Sequence, residues 1–181
     1  DQYTYQLETL IKERDESLTY AKEMQEAMMP EKNHISTVFP DSFIYLRPKE
    51  IVSGDFFWMS EEQDWTLVAV ADCTGHGVPG AMMTVICSNA LRATVCMGIS
   101  DPGAILDAAR SIIIKTFERG NFERNDGMDI SLCAINKKTR EIRWSGANNP
   151  LLYTHKGALL ELTADKQPVG KHVVEEEPFR T

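Results

Sequence analysis

The stretch AVADCTGHGVPGAMM, residues 69–83, decides how this chain reads. An apolar run ends on a carboxylate, Asp72. Two glycines, a histidine and Val-Pro-Gly-Ala follow at once. The run WTLVAVA, 65–71, predicts a strand. Pro79 predicts a helix start, because the first helical turn has no use for the N–H that proline lacks. The segment is not a nucleotide fingerprint: no G-x-G-x-x-G opens the helix and no G-K-[ST] follows. The question is what needs an acid at this point.

Working outward, FFWM, 56–59, predicts a strand preceded by Gly54 and Asp55, and the polar SEEQD, 60–64, suits a hairpin turn. If the two strands are antiparallel neighbours, Asp55 and Asp72 lie at the same end of a sheet. Two adjacent carboxylates repel, and both stay ionised at low cost only with a cation or several donors between them. Oxygen ligands of this kind suit Mg²⁺ or Mn²⁺. Two such ions sharing a water would activate it for in-line attack on phosphorus, without a covalent enzyme intermediate. The plainer reading makes Asp55 a turn residue and Asp72 a helix-cap acid. A hard metal next to Cys73 would use its backbone carbonyl rather than its thiol. His76 either donates a proton to a leaving oxygen or fixes its loop by a hydrogen bond. Asp126 and Asp129, ahead of another strand, either join the acidic site or close a loop. Asn148 and Asn149 read as turn chemistry, and Lys49 is the basic group nearest Asp55 in sequence.

The rest of the chain predicts a helix over 5–29, stopped by Pro30, a loop over 32–41 and a strand over 42–48. Helices follow from Pro79 to about Met97 and over 101–118, then a loop, NFERNDG, 121–127. Four strands come next: MDISLCAI, EIRWSG, PLLYTH and ALLELT. Strands, two consecutive helices, then strands is not the alternation of a Rossmann unit. It fits α+β sheets with helices on their outer surfaces. In the first helix Ile11, Leu18 and Gln25 share one heptad position, and Leu7, Ala21 and Met28 another. Arg14 breaks the second series. Residues 1–30 thus read as a linker helix with a broken coiled-coil pattern, and 31–181 as the domain.

The formal net charge of −8 argues against a nucleic-acid partner. The four cysteines form no CxxC pair and no zinc spacing, which fits a reducing, cytoplasmic setting. No apolar run is long enough to span a membrane, and no signal peptide is visible.

RPKEIVSGDFF, AVADCTGHGVPGAMM, GMDISLCAI and WSGANNPLLY, in that order, resemble the SpoIIE/RsbU-type branch of the PPM (PP2C-like) phosphatases. AKEMQEAMMPE ahead of them is similar to the linker helix that often precedes that domain. The resemblance implies an α-β-β-α sandwich with a dinuclear Mn²⁺ or Mg²⁺ site. It implies hydrolysis of phosphoserine or phosphothreonine on a regulatory protein of the anti-sigma-factor antagonist type. It makes Asp55, Asp72 and the Cys73 carbonyl metal ligands. The family is often the output domain of a bacterial sensor, so an upstream sensor domain, a membrane-bound one included, and a homodimer through the linker helix are expected. Two further acidic motifs of the family, a Gly-Asp…Ser/Thr-Asp-Gly segment and an Asp-Asp, do not occur before residue 181. The expectation is therefore a partial domain with a weakened metal site. The alternative function is a catalytically weak module that dimerises and binds a partner.

Overall fold

The computed structural model describes residues 2–120, 125–172 and 177–181. The elements run α1 (Gln2–Glu26), α2 (Lys32–Val38), β1 (Asp55–Glu62), β2 (Trp65–Cys73), α3 (Gly77–Cys96), α4 (Pro102–Arg119), β3 (Gly127–Asn136), β4 (Ile142–Ala147), β5 (Leu151–His155), β6 (Ala158–Leu162) and β7 (Val169–Gly170). Of the loop expected over 121–127, residues 121–124 lie outside the described residues.

The main sheet has the order β1-β2-β3-β4, all antiparallel, with β7 pairing the start of β3. β1 and β2 form the expected hairpin, with a tighter turn than SEEQD suggested. The strands reach Glu62 and Trp65, and Gln63 takes the left-handed conformation at φ 45°. β5 and β6 form a separate two-stranded ribbon.

Alternation along the strands divides the sheet into two unlike faces. Phe56, Trp58, Leu67, Ala69, Ala71, Cys73, Met128, Ile130, Leu132 and Ala134 are buried together with Met83, Cys87, Leu91 and Val95 of α3 and Ile105, Leu106, Ala109 and Ile113 of α4. This is the core, one layer of helices on one face of the sheet. α4 starts where Asp101 accepts a hydrogen bond from the Ala104 N–H at 3.0 Å, with Pro102 in the first turn. The opposite face carries Asp55, Phe57, Met59, Val68, Val70, Asp72, Asp129, Ser131, Cys133 and Ile135. Val70 is 57% exposed there, and an apolar groove of about 360 Å³ lies between this face, α2 and Ile44.

Three local expectations change. Residues 42–48 form no strand. FIYL has the side chains of a strand, but a ladder needs a neighbour, and none pairs with it; Phe43 is 91% exposed. The segment 32–41, expected as a loop, contains α2, which is anchored by buried Ile35. α3 begins at Gly77, two residues before Pro79, which stays in the first turn where its missing N–H costs nothing.

The end of the sheet that holds Asp55 and Asp72 is closed by backbone contact. The Cys73 N–H donates to the Gly54 carbonyl at 3.0 Å. A Cβ on Gly54 would lie 2.8 Å from the Gly75 carbonyl oxygen, and one on Gly80 would lie 2.6 Å from the same oxygen and 3.1 Å from the Gly54 Cα. The loop before β1, the loop after β2 and the first turn of α3 therefore meet with no side chain between them. Helix propensity alone would make Gly80→Ala stabilising, by up to about 1 kcal/mol. The contact reverses the sign: Gly80→Ala should lower unfolding free energy by about 1–3 kcal/mol in urea denaturation. An unchanged or raised midpoint would contradict this packing.

Candidate metal and phosphoryl site

The strand registers place three carboxylates in a row. Asp55 on β1 sits opposite Asp72 on β2, and Asp72 sits opposite Asp129 on β3. All three fall on the open face, away from the helices. Each is set at its strand's site end by a local contact. The Asp55 N–H donates to Ser53 Oγ at 2.9 Å. Asp72 is followed by the Cys73–Gly54 bond described above. Asn148, in the left-handed conformation at φ 56°, donates from Nδ2 to Asp129 Oδ1 at 2.8 Å. Asparagine tolerates that backbone better than most residues.

The electrostatics fit a cation. Partial burial at the sheet end, then the Asp55 charge and the Asp55–Asp72 carboxyl hydrogen bond, then the Asp129 charge, all push the Asp72 carboxyl above its ordinary value. A carboxyl in this position is relieved by a positive ion between the strands. The strand spacing of about 4.8 Å sets Asp72 between Asp55 and Asp129, one strand from each. No group of three or more His, Cys, Asp or Glu side chains among the described residues converges to hold a metal.

The other expected residues fall as follows. The Cys73 thiol faces the helices, is 3% exposed and hydrogen bonds with Cys87. That contact and burial push it far above the usual thiol range, so only its carbonyl, beside Gly54, is oriented toward the site end. His76 is the residue before α3, and its Nδ1 lies 2.7 Å from Glu50 Oε1. Asp126 precedes β3 and is not in the carboxylate row. Lys49 is exposed and is not among the residues lining the cleft beside the acids. Arg47, two residues earlier, is: this cleft of about 320 Å³ is lined by Tyr45, Arg47, Asp55, Phe57, Val70, Asp72 and Asn149.

Gln25 of α1, expected only as a member of the heptad series with Ile11 and Leu18, is bonded into the site's support. It is 7% exposed and spans three elements. Its Nε2 donates to the Ser53 carbonyl at 2.7 Å and to Thr84 Oγ1 of α3 at 2.8 Å, and its Oε1 accepts from the Ser53 N–H at 3.0 Å. Ser53 in turn receives the Asp55 N–H. The N-terminal helix is thus bonded to the residue that sets Asp55.

An all-antiparallel sheet packed on two consecutive helices, with in-register aspartates at its open end, is the half-sandwich of a PP2C-type phosphatase. Residues 62–181 match the model of the SpoIIE family, "Stage II sporulation protein E". The chain belongs to that family and so to the PP2C/PPM phosphatase superfamily. No curated protein matches the sequence. Among solved structures, the SiaA-PP2C domain of Pseudomonas aeruginosa superposes with a TM-score of 0.82 at 29% identity, covering 94% of this chain and 66% of that one. The PP2C domain of SpoIIE from Bacillus subtilis, solved with a fragment of its regulatory domain, shares the fold at TM-score 0.54 and 20% identity, covering 71% of this chain and 36% of that one. RsbX in complex with magnesium does so at TM-score 0.52 and 16% identity, covering 71% and 58%. The chain therefore spans less than two thirds of the length of each.

The raised Asp72 carboxyl yields a signed prediction. A group that binds its proton more tightly when folded contributes stability below the ordinary pKa of 3.8, and that stability is lost as pH rises through the raised value. Ionised Asp72 is then a cost at neutral pH. Metal-free Asp72→Asn should melt higher than the parent at pH 7, by no more than about 3 °C because the group is exposed. The difference should close near pH 3. A lower melting temperature for the variant at pH 7 would contradict the crowding.

Proposed function

We propose that this chain is catalytic sequence of a metal-dependent protein serine/threonine phosphatase, with residues 1–30 as its linker and 31–181 as phosphatase domain. The observation that carries the reading is the in-register row Asp55–Asp72–Asp129 at the open end of the sheet. Two divalent ions, Mn²⁺ or Mg²⁺, would be held with Asp72 between them, Asp55 and the Cys73 carbonyl on one side and Asp129 on the other. When bound, they supply an activated water and neutralise phosphoryl charge. The chain's own residues do the remaining work. Arg47 offers a fork of donors to phosphate oxygens in the cleft beside the acids. His76 donates a proton to the departing seryl oxygen as the P–O bond breaks, so that serine leaves as the alcohol.

The substrate in this reading is a phosphorylated regulatory protein of the anti-sigma-factor antagonist type, in a bacterial signalling pathway; membership of the SpoIIE family supports it. We place the protein's active domain in the cytoplasm, in keeping with its free cysteines. A phosphoserine peptide should be hydrolysed in Mn²⁺, and Asp55→Asn should lower kcat by at least about 100-fold. Hydrolysis surviving at near-parent rate in Asp55→Asn would sink the reading. The second reading, a weak or inactive module that dimerises and binds a partner, is favoured by the lack of a three-ligand cluster among the described residues. It predicts partner binding without turnover.

Regulation through α1 belongs to the same proposal. Leu7 and Ile11 on the heptad seam are 59% and 46% exposed, an apolar stripe suited to a second copy of the helix and to an upstream sensor's signal. Gln25, on the same seam, delivers the helix position to Ser53. Gln25→Ala should cost about 1–3 kcal/mol, because the Ser53 backbone loses its partners, and should also weaken Mn²⁺ binding. Unaltered Mn²⁺ affinity in a destabilised Gln25→Ala would argue against control through the linker.

A further inference from the structure

We propose that Glu50 is a positioning residue that holds His76 with its proton on Nδ1 and presents Nε2 to the phosphorylated substrate. The inference rests on the phosphatase reading above. Glu50 Oε1 lies 2.7 Å from His76 Nδ1, joining the segment ahead of β1 to the loop behind β2. An ionised carboxylate only accepts hydrogen bonds, so Nδ1 carries the proton in this contact. Nε2 is then the acceptor of the neutral ring, or the donor of the protonated one.

The chain makes room for this contact at Gly77. A Cβ there would stand 2.7 Å from Glu50 Oε2, and the residue adopts φ +59°, a backbone that other residues avoid. Gly77 thus serves the Glu50 carboxylate as well as the start of α3. The His76 side chain is 76% exposed and that of Glu50 45%. An exposed pair contributes little to folding. Its geometry is therefore better explained by orientation of the ring, and Glu50 variants should remain folded. The step served is one proton transfer. The doubly protonated ring gives its Nε2 proton to the seryl oxygen as that oxygen leaves phosphorus, and the ring, left neutral with its proton on Nδ1, regains a proton at Nε2 from solvent.

The test uses the whole chain and two readouts. Nitrogen-15 NMR of the imidazoles should show His76 with its proton on Nδ1 in the parent and in Glu50→Asp, and a shift toward the Nε2–H form in Glu50→Ala. In Mn²⁺, Glu50→Ala should lower kcat for a phosphoserine peptide about tenfold with KM within about twofold. The loss for p-nitrophenyl phosphate should be at least about fivefold smaller, because nitrophenolate leaves without protonation. In a His76→Ala background Glu50→Ala should have less than about a twofold further effect. An unchanged tautomer in Glu50→Ala, or equal losses for both substrates, overturns the proposal. A parent chain that hydrolyses neither substrate overturns the phosphatase reading, and with it the substrate-facing half of this one; the tautomer result then decides separately whether Glu50 orients His76.

Discussion

The contact among Gly54, Gly75 and Gly80 is the constraint on which the candidate site depends. Three chain segments that carry or flank its acids touch there through backbone alone. Because the Gly54 carbonyl accepts from the Cys73 N–H, β1 enters the sheet with Asp55 already opposite Asp72. A one-residue slip would turn Asp55 into the helix-covered core and Phe56 out of it. The hairpin register, the start of α3 and the proximity of two like charges are thus consequences of one close approach that only glycine permits.

That arrangement divides the molecule into a stabilising side and a functional side. The helix-covered face buries aliphatic side chains of both layers and supplies the driving force for folding. The open face gathers carboxylates whose mutual repulsion works against it. The cost is tolerable because it is confined to an exposed edge, where solvent screens it, and because a cation would convert it into binding energy. Gln25 and Asn148 act at this boundary. One ties Asp55's loop to the N-terminal helix, and the other fixes one oxygen of Asp129.

Local chemistry was legible in the sequence, and non-local chemistry was not. The Asp72 strand exit, the α3 start, the Asp-Pro start of α4 and the β1–β2 hairpin all rest on residues adjacent in the chain, and all formed within a few positions of expectation. The strand expected over 42–48 failed because its outcome depends on a pairing partner that its own residues cannot encode. α2 was missed because about two turns around a single anchor, Ile35, give no periodic signal. Gln25, Glu50 and Arg47 gain meaning only from contacts or a cleft made with distant segments, 28 and 26 residues away for the first two. Asp129 was one of two candidates around the start of β3, and only the register across β2 separated it from Asp126.

Calorimetric titration of Mn²⁺ into the parent chain and into Asp72→Asn tests most directly whether Asp72 is the shared ligand of the proposed cation site on the β1–β2–β3 register. Heat of binding is expected in the parent and its loss in the variant, with the metal-free variant folded and no less stable. Equal Mn²⁺ affinity in the two proteins would place the metal elsewhere and contradict the site described.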